Sequence, residues 1–128
     1  MRLLLDTHAV LWYLSGDRRL PRSARRHIEQ TRREKLISIA SVWEIAIKVS
    51  LRKLELDDPL AQVIDAGIAD SGSALLAISR HHAVRVAALP WHHRDPFDRM
   101  LAAQALEDDL TLLSGDETFD AYGVERVW

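Results

Sequence analysis

Short apolar runs alternate with amphipathic segments along this chain, and this alternation constrains the fold more than any other feature. Segments that read as strands lie at 3–5, 36–39, 74–78, 110–113 and 124–128. Between them, apolar residues recur at helical spacing in 7–14, 21–33, 41–53, 59–71, 79–89 and 96–108. Strands that are separated by helices pair in parallel. The sequence therefore predicts a layered α/β fold around a mainly parallel sheet of short strands.

Acidic residues stand close to the ends of these apolar runs. Most follow a run directly or open the next helix, and the set is Asp6, Glu44, Asp95, Asp98 and Asp116. In an open parallel sheet, the carboxyl ends of the strands converge on one crevice. Carboxylates about 4 Å apart repel by roughly 4 kcal/mol per pair at an effective dielectric near 20, so a cation is needed among them. Oxygen ligands indicate Mg²⁺ or Mn²⁺ and favour a metal-dependent phosphodiesterase.

The composition is that of a soluble, compact protein. With 128 residues, of which 48% are hydrophobic, we expect one domain spanning residues 1–128. No apolar stretch approaches the roughly 20 residues needed to cross a membrane, and we expect no secretory signal. The chain has no cysteine, which excludes disulfides, thiolate metal sites and cysteine catalysis. These features are compatible with a cytoplasmic location.

Charge is distributed unevenly, although the net charge is only −2. Residues 17–35 contain eight basic side chains against three acidic ones, whereas residues 95–125 contain nine acidic side chains against one basic one. An Arg-rich segment beside an acidic pocket suits a polyanionic substrate whose phosphate reaches a bound metal. The alternative is a solvated basic helix face, which is the common role of such a charge run.

Local sequence also offers each acid a structural role. Asp6, Asp95 and Asp116 each occupy a position from which an aspartate caps a following helix. Glu44 fits the last position of a Ser-x-x-Glu capping box that begins at residue 41, and from local sequence this capping role outranks catalysis. Asp98 lies one turn inside its helix, where no cap is needed, so we expect its side chain to face the pocket.

Four segments together carry a recognisable pattern. They are Leu-Asp-Thr-His at 5–8, Ser-Val-Trp-Glu-Ile-Ala-Ile-Lys at 41–48, Leu-Pro-Trp-His-His-Arg-Asp-Pro-Phe-Asp-Arg at 89–99 with Gln-Ala at 104–105, and Leu-Leu-Ser-Gly-Asp at 112–116. The stretch at 93–99 is the most specific. In these residues the chain resembles PIN-domain ribonucleases, and specifically the VapC-type toxins of bacterial type II toxin–antitoxin systems, over essentially its whole length.

This resemblance implies a single PIN domain, with three α/β/α layers and a sheet of about five strands. The activity implied is metal-dependent endoribonuclease cleavage with Mg²⁺ or Mn²⁺, which leaves a 5′-phosphate and a 3′-hydroxyl. The family's catalytic and metal-binding acids correspond to Asp6, Glu44, Asp98 and Asp116. Supporting residues are expected at Thr7, Asp95, Ser114 and Arg99. Of these, Arg99 would balance the acidic charge or touch phosphate.

The resemblance also implies partners: an RNA substrate, a cognate antitoxin whose C-terminal segment lies in a groove, and a second copy of the chain in a homodimer. No membrane is implied. Aromatic residues near the predicted helix starts could anchor a partner helix, namely Trp12, Tyr13, Trp43 and Trp91. Core packing is the alternative role, and we favour it for at least two of them.

Other functions are weighed against this one. A receiver-like domain would need an acid pair early in the chain, and a haloacid-dehalogenase-type phosphatase would need Asp-x-Asp where His8 occupies the second acidic position. A catalytically silent PIN fold that binds RNA or protein stays open. The proposed chemistry needs no histidine as a general base. His92 and His93 could lie near the cleft, but surface or capping roles are favoured for the histidines.

Overall fold

Five parallel strands form the centre of the computed structural model, which describes residues 2–30 and 32–128. The strands are β1 (Leu3–Leu5), β2 (Lys35–Ser38), β3 (Ser73–Leu76), β4 (Thr111–Leu113) and β5 (Arg126–Val127). The helices are α1 (Thr7–Ser15), α2 (Arg22–Glu29), α3 (Ile39–Ser50), α4 (Leu60–Ser71), α5 (Arg80–Ala88) and α6 (Pro96–Glu107), and a 3₁₀ helix (Glu117–Tyr122) follows β4. All strand pairs are parallel, as predicted.

Both faces of the sheet are covered by helices. Successive side chains of a strand point to opposite faces, so β1 contributes to two cores. Leu4 packs in a cluster with Leu101 of α6 and residues of the 3₁₀ helix. Leu3 and Leu5 pack in the other cluster, with Ile28 of α2 and residues of α1. The predicted three-layer α/β/α fold is therefore confirmed.

Several helix boundaries differ from the prediction. Helix α2 ends at Glu29 rather than near residue 33, and residue 31 lies outside the described residues. The buried Lys35 explains this end, because its Nζ donates to the carbonyls of Ile28 at 2.6 Å and Gln30 at 3.0 Å. Helix α3 also begins two residues early, since Ile39 is helical rather than part of β2. Within the described residues, no helix has the length and apolar character to cross a membrane.

The strand order places one crevice at the centre of the sheet. The order is β3-β2-β1-β4-β5, so the chain moves outward from β1 to β3 and then returns to the other side of β1 for β4 and β5. The direction of winding therefore changes between β1 and β4. In open α/β sheets, ligands bind outside the carboxyl ends of the strands at this switch point. Asp6 follows β1 directly, and Ser114 follows β4 directly.

Candidate metal centre

Asp6 is held at the carboxyl end of the central strand. It caps α1, with its Oδ1 accepting a hydrogen bond from the backbone N–H of Ala9 at 2.7 Å. The residue is only 6% exposed. Burial raises the pKa of this carboxyl, and hydrogen bonds from Ser114 and Ala9 and the charge of His8 offset part of the effect. Asp6 therefore combines the predicted cap with a place in the crevice.

Glu44 does not cap its helix, so the capping-box interpretation is wrong. Helix α3 starts at Ile39 and is capped by Ser38, whose Oγ accepts the N–H of residue 40 at 3.0 Å. Glu44 therefore lies inside the helix and is 7% exposed. Its Oε1 accepts a 2.8 Å hydrogen bond from the Thr7 hydroxyl, and its Oε2 lies 3.3 Å from the Lys48 ammonium. Thr7 and Lys48 thus orient the Glu44 carboxylate, which takes no part in capping α3.

The two acids at the start of α6 have separate roles. Asp95 is the cap, and its Oδ1 accepts from the N–H of residue 97 at 2.8 Å and from the N–H of Asp98 at 3.2 Å. Asp98 makes no capping bond and lies among like charges. Burial, the charge of Asp95, and then those of Glu44 and Asp6 raise the pKa of Asp98 to about 7, against the opposing effect of His93. Negative charge therefore converges on Asp98.

Asp116 joins the cluster from the loop after β4. Its Oδ1 accepts the N–H of Thr118 at 2.9 Å and so caps the 3₁₀ helix. Burial raises the pKa of this carboxyl, but the hydrogen bonds from Thr118 and His93 outweigh it and lower the pKa overall. Ser114 is fully buried, its Oγ accepts the backbone N–H of Asp116 at 3.0 Å, and its side chain lowers the pKa of Asp6. Ser114 therefore stands next to both acids.

His93 lies inside the acidic cluster rather than in the surface or capping role that the sequence favoured. Its Nε2 is 2.6 Å from Asp116 Oδ2 and 3.5 Å from Asp98 Oδ2. One ligand atom from each of these three residues lies within 4.8 Å of the others. No local signal marked it, although it lies just before the Asp95-Pro96 helix start that carries two of the acids.

These donors fit a hard divalent cation. Asp6, Glu44, Asp98 and Asp116 offer carboxylate oxygens, which suit Mg²⁺ and Mn²⁺, and His93 adds one imidazole nitrogen. The pKa values of Asp6 and Asp98 are raised, by burial first and by neighbouring carboxylates second, so the ionised forms of these two acids are disfavoured in the metal-free crevice. The crevice can therefore take one or more divalent ions.

Arg99 does not meet the acids in the way that was predicted. It is 3% exposed, and its guanidinium donates to the carbonyls of Val86 at 3.1 Å, Leu89 at 3.3 Å and Pro90 at 2.8 Å. It also lies 3.8 Å from the centre of the Trp91 ring. The arginine thus joins α6 to the end of α5 and the loop that follows.

We expect Arg99→Lys to lower the free energy of unfolding by about 1–2 kcal/mol, because an ammonium cannot reproduce the planar fork that reaches three carbonyls. Urea unfolding would measure the change. Arg85→Lys is the matched control, since Arg85 is partly exposed and pairs with Glu107 at 2.8 Å near the surface. Surface pairs of this kind contribute little, so the control should stay within about 0.5 kcal/mol of the unsubstituted protein. Equal losses in the two variants would contradict this role for Arg99.

The aromatic residues divide into two groups. Trp12 and Tyr13 pack against the core cluster beneath α1 and α2. Trp43 and Trp91 are 60% and 77% exposed and line an apolar cavity of about 340 Å³ beside Phe97. Core packing thus accounts for two of the four, in line with the sequence analysis.

Comparison with known proteins gives one family and several similar folds. The PIN-domain family model matches residues 3–125. VapBC2 from Rickettsia felis, bound to a DNA fragment from the promoter, is 15% identical with a TM-score of 0.75, and 99% of this chain and 98% of that chain are covered. DNA-bound VapBC from Salmonella typhimurium is 18% identical with a TM-score of 0.75, covering 99% and 97%.

A toxin–antitoxin complex from Klebsiella pneumoniae is 21% identical with a TM-score of 0.67, and 98% of this chain and 96% of that chain are covered. No curated protein matches the sequence. At these identities the solved structures show a shared fold. The family model, in contrast, spans nearly the whole sequence, including all four acids of the crevice. The chain therefore belongs to the PIN-domain family.

Proposed function

We propose that this protein is a metal-dependent endoribonuclease that hydrolyses RNA phosphodiester bonds as the toxin of a toxin–antitoxin pair. Four acids around the switch point of the sheet carry the proposal, since the charges of Glu44 and Asp6 act on Asp98, and His93 lies between Asp98 and Asp116. They come from four different elements: the end of β1, the interior of α3, the start of α6 and the loop after β4. Such a cluster suits a divalent cation and a phosphate oxygen. Membership of the PIN-domain family supports the nuclease activity.

The residues have distinct roles in this proposal. Asp6 and Asp98 hold the principal ion, Asp116 supports a second one, and Glu44 completes the shell or orients water. A bound divalent ion would supply Lewis acidity to the phosphate and a lowered pKa to water. The chain prepares the site beforehand, since Thr7 fixes one oxygen of Glu44 and the helix cap on Ala9 fixes one oxygen of Asp6.

The neighbouring groups hold these acids without replacing them. Ser114 accepts the backbone N–H of Asp116 and lowers the pKa of the Asp6 carboxyl, so it stands next to both acids. His93 Nε2 donates a hydrogen bond to Oδ2 of Asp116, and His93 offsets part of the charge around Asp98. Asp95 stays engaged with the N–H groups of α6, which leaves Asp98 available for an ion.

RNA as the substrate and an antitoxin as a partner are parts of the same proposal. The Arg-rich segment at 17–35 suits a polyanion. The similar VapBC and toxin–antitoxin complexes support an antitoxin partner. We further propose a homodimer that acts in the cytoplasm, and products that carry a 5′-phosphate and a 3′-hydroxyl.

Cleavage of total RNA by the purified protein tests the proposal. We expect cleavage with Mg²⁺ or Mn²⁺, none with EDTA, and recovery when the metal is restored. Asp6→Asn, purified in the same way, should be folded and inactive, which excludes a contaminating nuclease. Asp65→Asn is the matched control, because Asp65 is an exposed acid on α4, and it should cleave like the unsubstituted protein.

Two results would overturn the proposal. Cleavage that persists in EDTA, or that is equal in Asp6→Asn, would place the activity elsewhere. If a folded protein with bound metal cleaves no RNA, the catalytically silent PIN fold becomes the better description.

A further inference from the structure

A cavity of about 480 Å³ opens directly beside the metal centre, and the proposed chemistry leaves most of its wall without a role. Asp6 and Asp116 line it together with His8, Trp12, Arg19, Gly115 and Trp128. The volume lies within the roughly 300–1,000 Å³ typical of ligand pockets. A molecule in this cavity would be within reach of both the catalytic acids and the aromatic rings.

The aromatic wall is held in place by its surroundings. The rings of Trp12 and Trp128 lie 6.2 Å apart with a tilt of 57°, and both pack partly against the core. His8 extends this wall, with its ring 5.4 Å from that of Trp12. Gly115 leaves room for the indole of Trp128, because a Cβ at that position would come within 2.8 Å of the ring. The rings are therefore held with little freedom, and a planar group that binds against the ring surface not covered by Arg19 or Gly115 needs little further ordering.

The positively charged Arg19 also lines the cavity, next to Trp12. The Arg19 guanidinium lies 4.9 Å from the centre of the Trp12 ring. One of its nitrogens is 2.7 Å from Asp17, so this ion pair orients the fork and offsets part of its charge. Ser23, in the same Arg-rich segment, donates to the carbonyl of Trp128 at 3.1 Å. The basic segment and the aromatic wall thus meet at one edge of the metal centre.

A nucleic acid strand has the complementary chemistry. Its bases have flat π-faces that stack on aromatic side chains, and its phosphates need cations where acids line the path. Among the described residues, the cavity beside Trp43 and Trp91 includes none of the four catalytic acids in its lining. The cavity at Trp12 includes two of them. A base in this second cavity would belong to a nucleotide adjoining the phosphate that is cleaved.

We propose that the cavity between the metal centre and the Trp12–Trp128 wall is a subsite for one unpaired nucleotide that flanks the scissile phosphate. The base stacks on the tryptophan wall, and the flanking phosphate faces Arg19. This inference rests on the proposed ribonuclease function and adds a determinant of substrate position to it. Because stacking accepts every base, the subsite selects single-stranded RNA over duplex more strongly than it selects sequence.

Binding of a short single-stranded RNA with a 5′-fluorescein label tests the subsite by fluorescence anisotropy. The parent protein is Asp98→Asn in Mg²⁺, so that binding is measured without cleavage. We expect Trp12→Leu and Trp128→Leu each to weaken binding about 5- to 20-fold, the lower part of the range for one lost stacking contact, because the other ring remains. Trp43→Leu and Trp91→Leu, which remove exposed tryptophans elsewhere, should stay within about twofold. Trp12→Phe keeps a π-face and should retain most of the affinity.

An abasic oligonucleotide sharpens the measurement. RNA that lacks the base beside the cleavage site should bind the Asp98→Asn parent as weakly as intact RNA binds the Trp12→Leu variant. When the abasic RNA is tested with the Trp12→Leu variant, the affinity should fall no further. A melting curve for each variant shows that it is folded, and Trp12→Phe keeps the test decisive if Trp12→Leu does not fold.

The outcomes separate this inference from the proposed function. Equal RNA affinity in the parent, Trp12→Leu and Trp128→Leu proteins overturns the subsite, while cleavage by the unsubstituted protein leaves the nuclease intact. Failure of the unsubstituted protein to cleave RNA with metal overturns the nuclease itself. The subsite is also overturned if the parent binds no RNA. The same holds if Trp43→Leu and Trp91→Leu lose as much RNA affinity as Trp12→Leu does.

Discussion

Replacing Asp98 by asparagine is expected to lower the rate of RNA cleavage about 10³-fold, since a metal Lewis acid supplies several kcal/mol and each 1.4 kcal/mol is a factor of ten. The side chain lies where the charges of Asp95, Glu44 and Asp6 converge, and it makes no capping bond to α6. Asparagine keeps the shape and removes the charge. The fold should therefore survive, while the site loses a carboxylate that holds the ion.

The neighbouring Asp95 gives a closely matched control, because it stands three residues earlier on the same helix start. Its oxygen accepts two backbone N–H groups, and asparagine caps a helix about as well as aspartate does. Asp95→Asn should therefore keep most of the activity. Calorimetric titration with Mn²⁺ should show a large loss of affinity in Asp98→Asn and a small one in Asp95→Asn. Equal losses would make Asp95 a ligand, and an active Asp98→Asn would exclude Asp98 as one.

The fold could be predicted from the sequence because its signals are local and strong. Strands of a parallel sheet are buried on both faces, so they appear as continuous apolar runs such as 3–5 and 110–113. Gly16 and Gly72 end α1 and α4 in the left-handed conformation, with φ of 66° and 65°. Each of these features is contained in a few adjacent residues, so no knowledge of the tertiary structure was needed.

The start of α3 was mispredicted because two adjacent sequence signals conflict there. Ile39 continues an apolar, β-branched run, and β-branched residues favour strands. Ser41 also makes an attractive cap, with Glu44 three residues later. The structure instead uses Ser38 as the cap, which turns Glu44 inward toward Thr7. Local patterns cannot decide between two serines three residues apart when packing determines where the helix begins.

The role of His93 was out of reach for a different reason. Its partner Asp116 lies 23 residues away, and the contact joins the loop before α6 to the cap of the 3₁₀ helix. The carboxylates could be grouped because, in the sequence, each is close to the end of an apolar run or to a predicted helix start. A histidine in a loop carries no such marker. For Arg99 the difficulty was orientation, since its carbonyl partners at the end of α5 are set by helix packing.

The metal-free protein should lose stability as the pH rises from about 4 to about 7. In the folded protein the pKa of Asp98 is raised to about 7, whereas an unfolded aspartate has a pKa of about 3.9. Between these values the folded state keeps a proton that the unfolded state has lost, so raising the pH favours unfolding. The resulting decrease in the free energy of unfolding is complete above pH 7, at about 2–4 kcal/mol, and is absent below about pH 4. Asp6, whose pKa is also raised, acts in the same direction.

Urea unfolding in EDTA at about pH 5 and about pH 7.5 would measure this effect, because the linked proton is held by the folded state at the lower pH and lost at the higher one. Asp98→Asn should flatten the dependence and be the more stable protein at the higher pH, whereas the Asp65→Asn control should follow the unsubstituted protein. Asp116 does not confuse the comparison, since its lowered pKa places its titration below this window.

Adding Mn²⁺ should restore stability at about pH 7.5 in the unsubstituted protein far more than in Asp98→Asn, because an ion that binds the folded state stabilises it. Parallel pH profiles for the unsubstituted protein and Asp98→Asn would show that Asp98 does not carry the charge strain, and an ion that stabilises both equally would bind elsewhere. Asp98 is thus needed for activity, while its charge lowers the stability of the metal-free protein, and a bound cation removes that loss of stability. This combination is expected of carboxylates gathered to bind a metal.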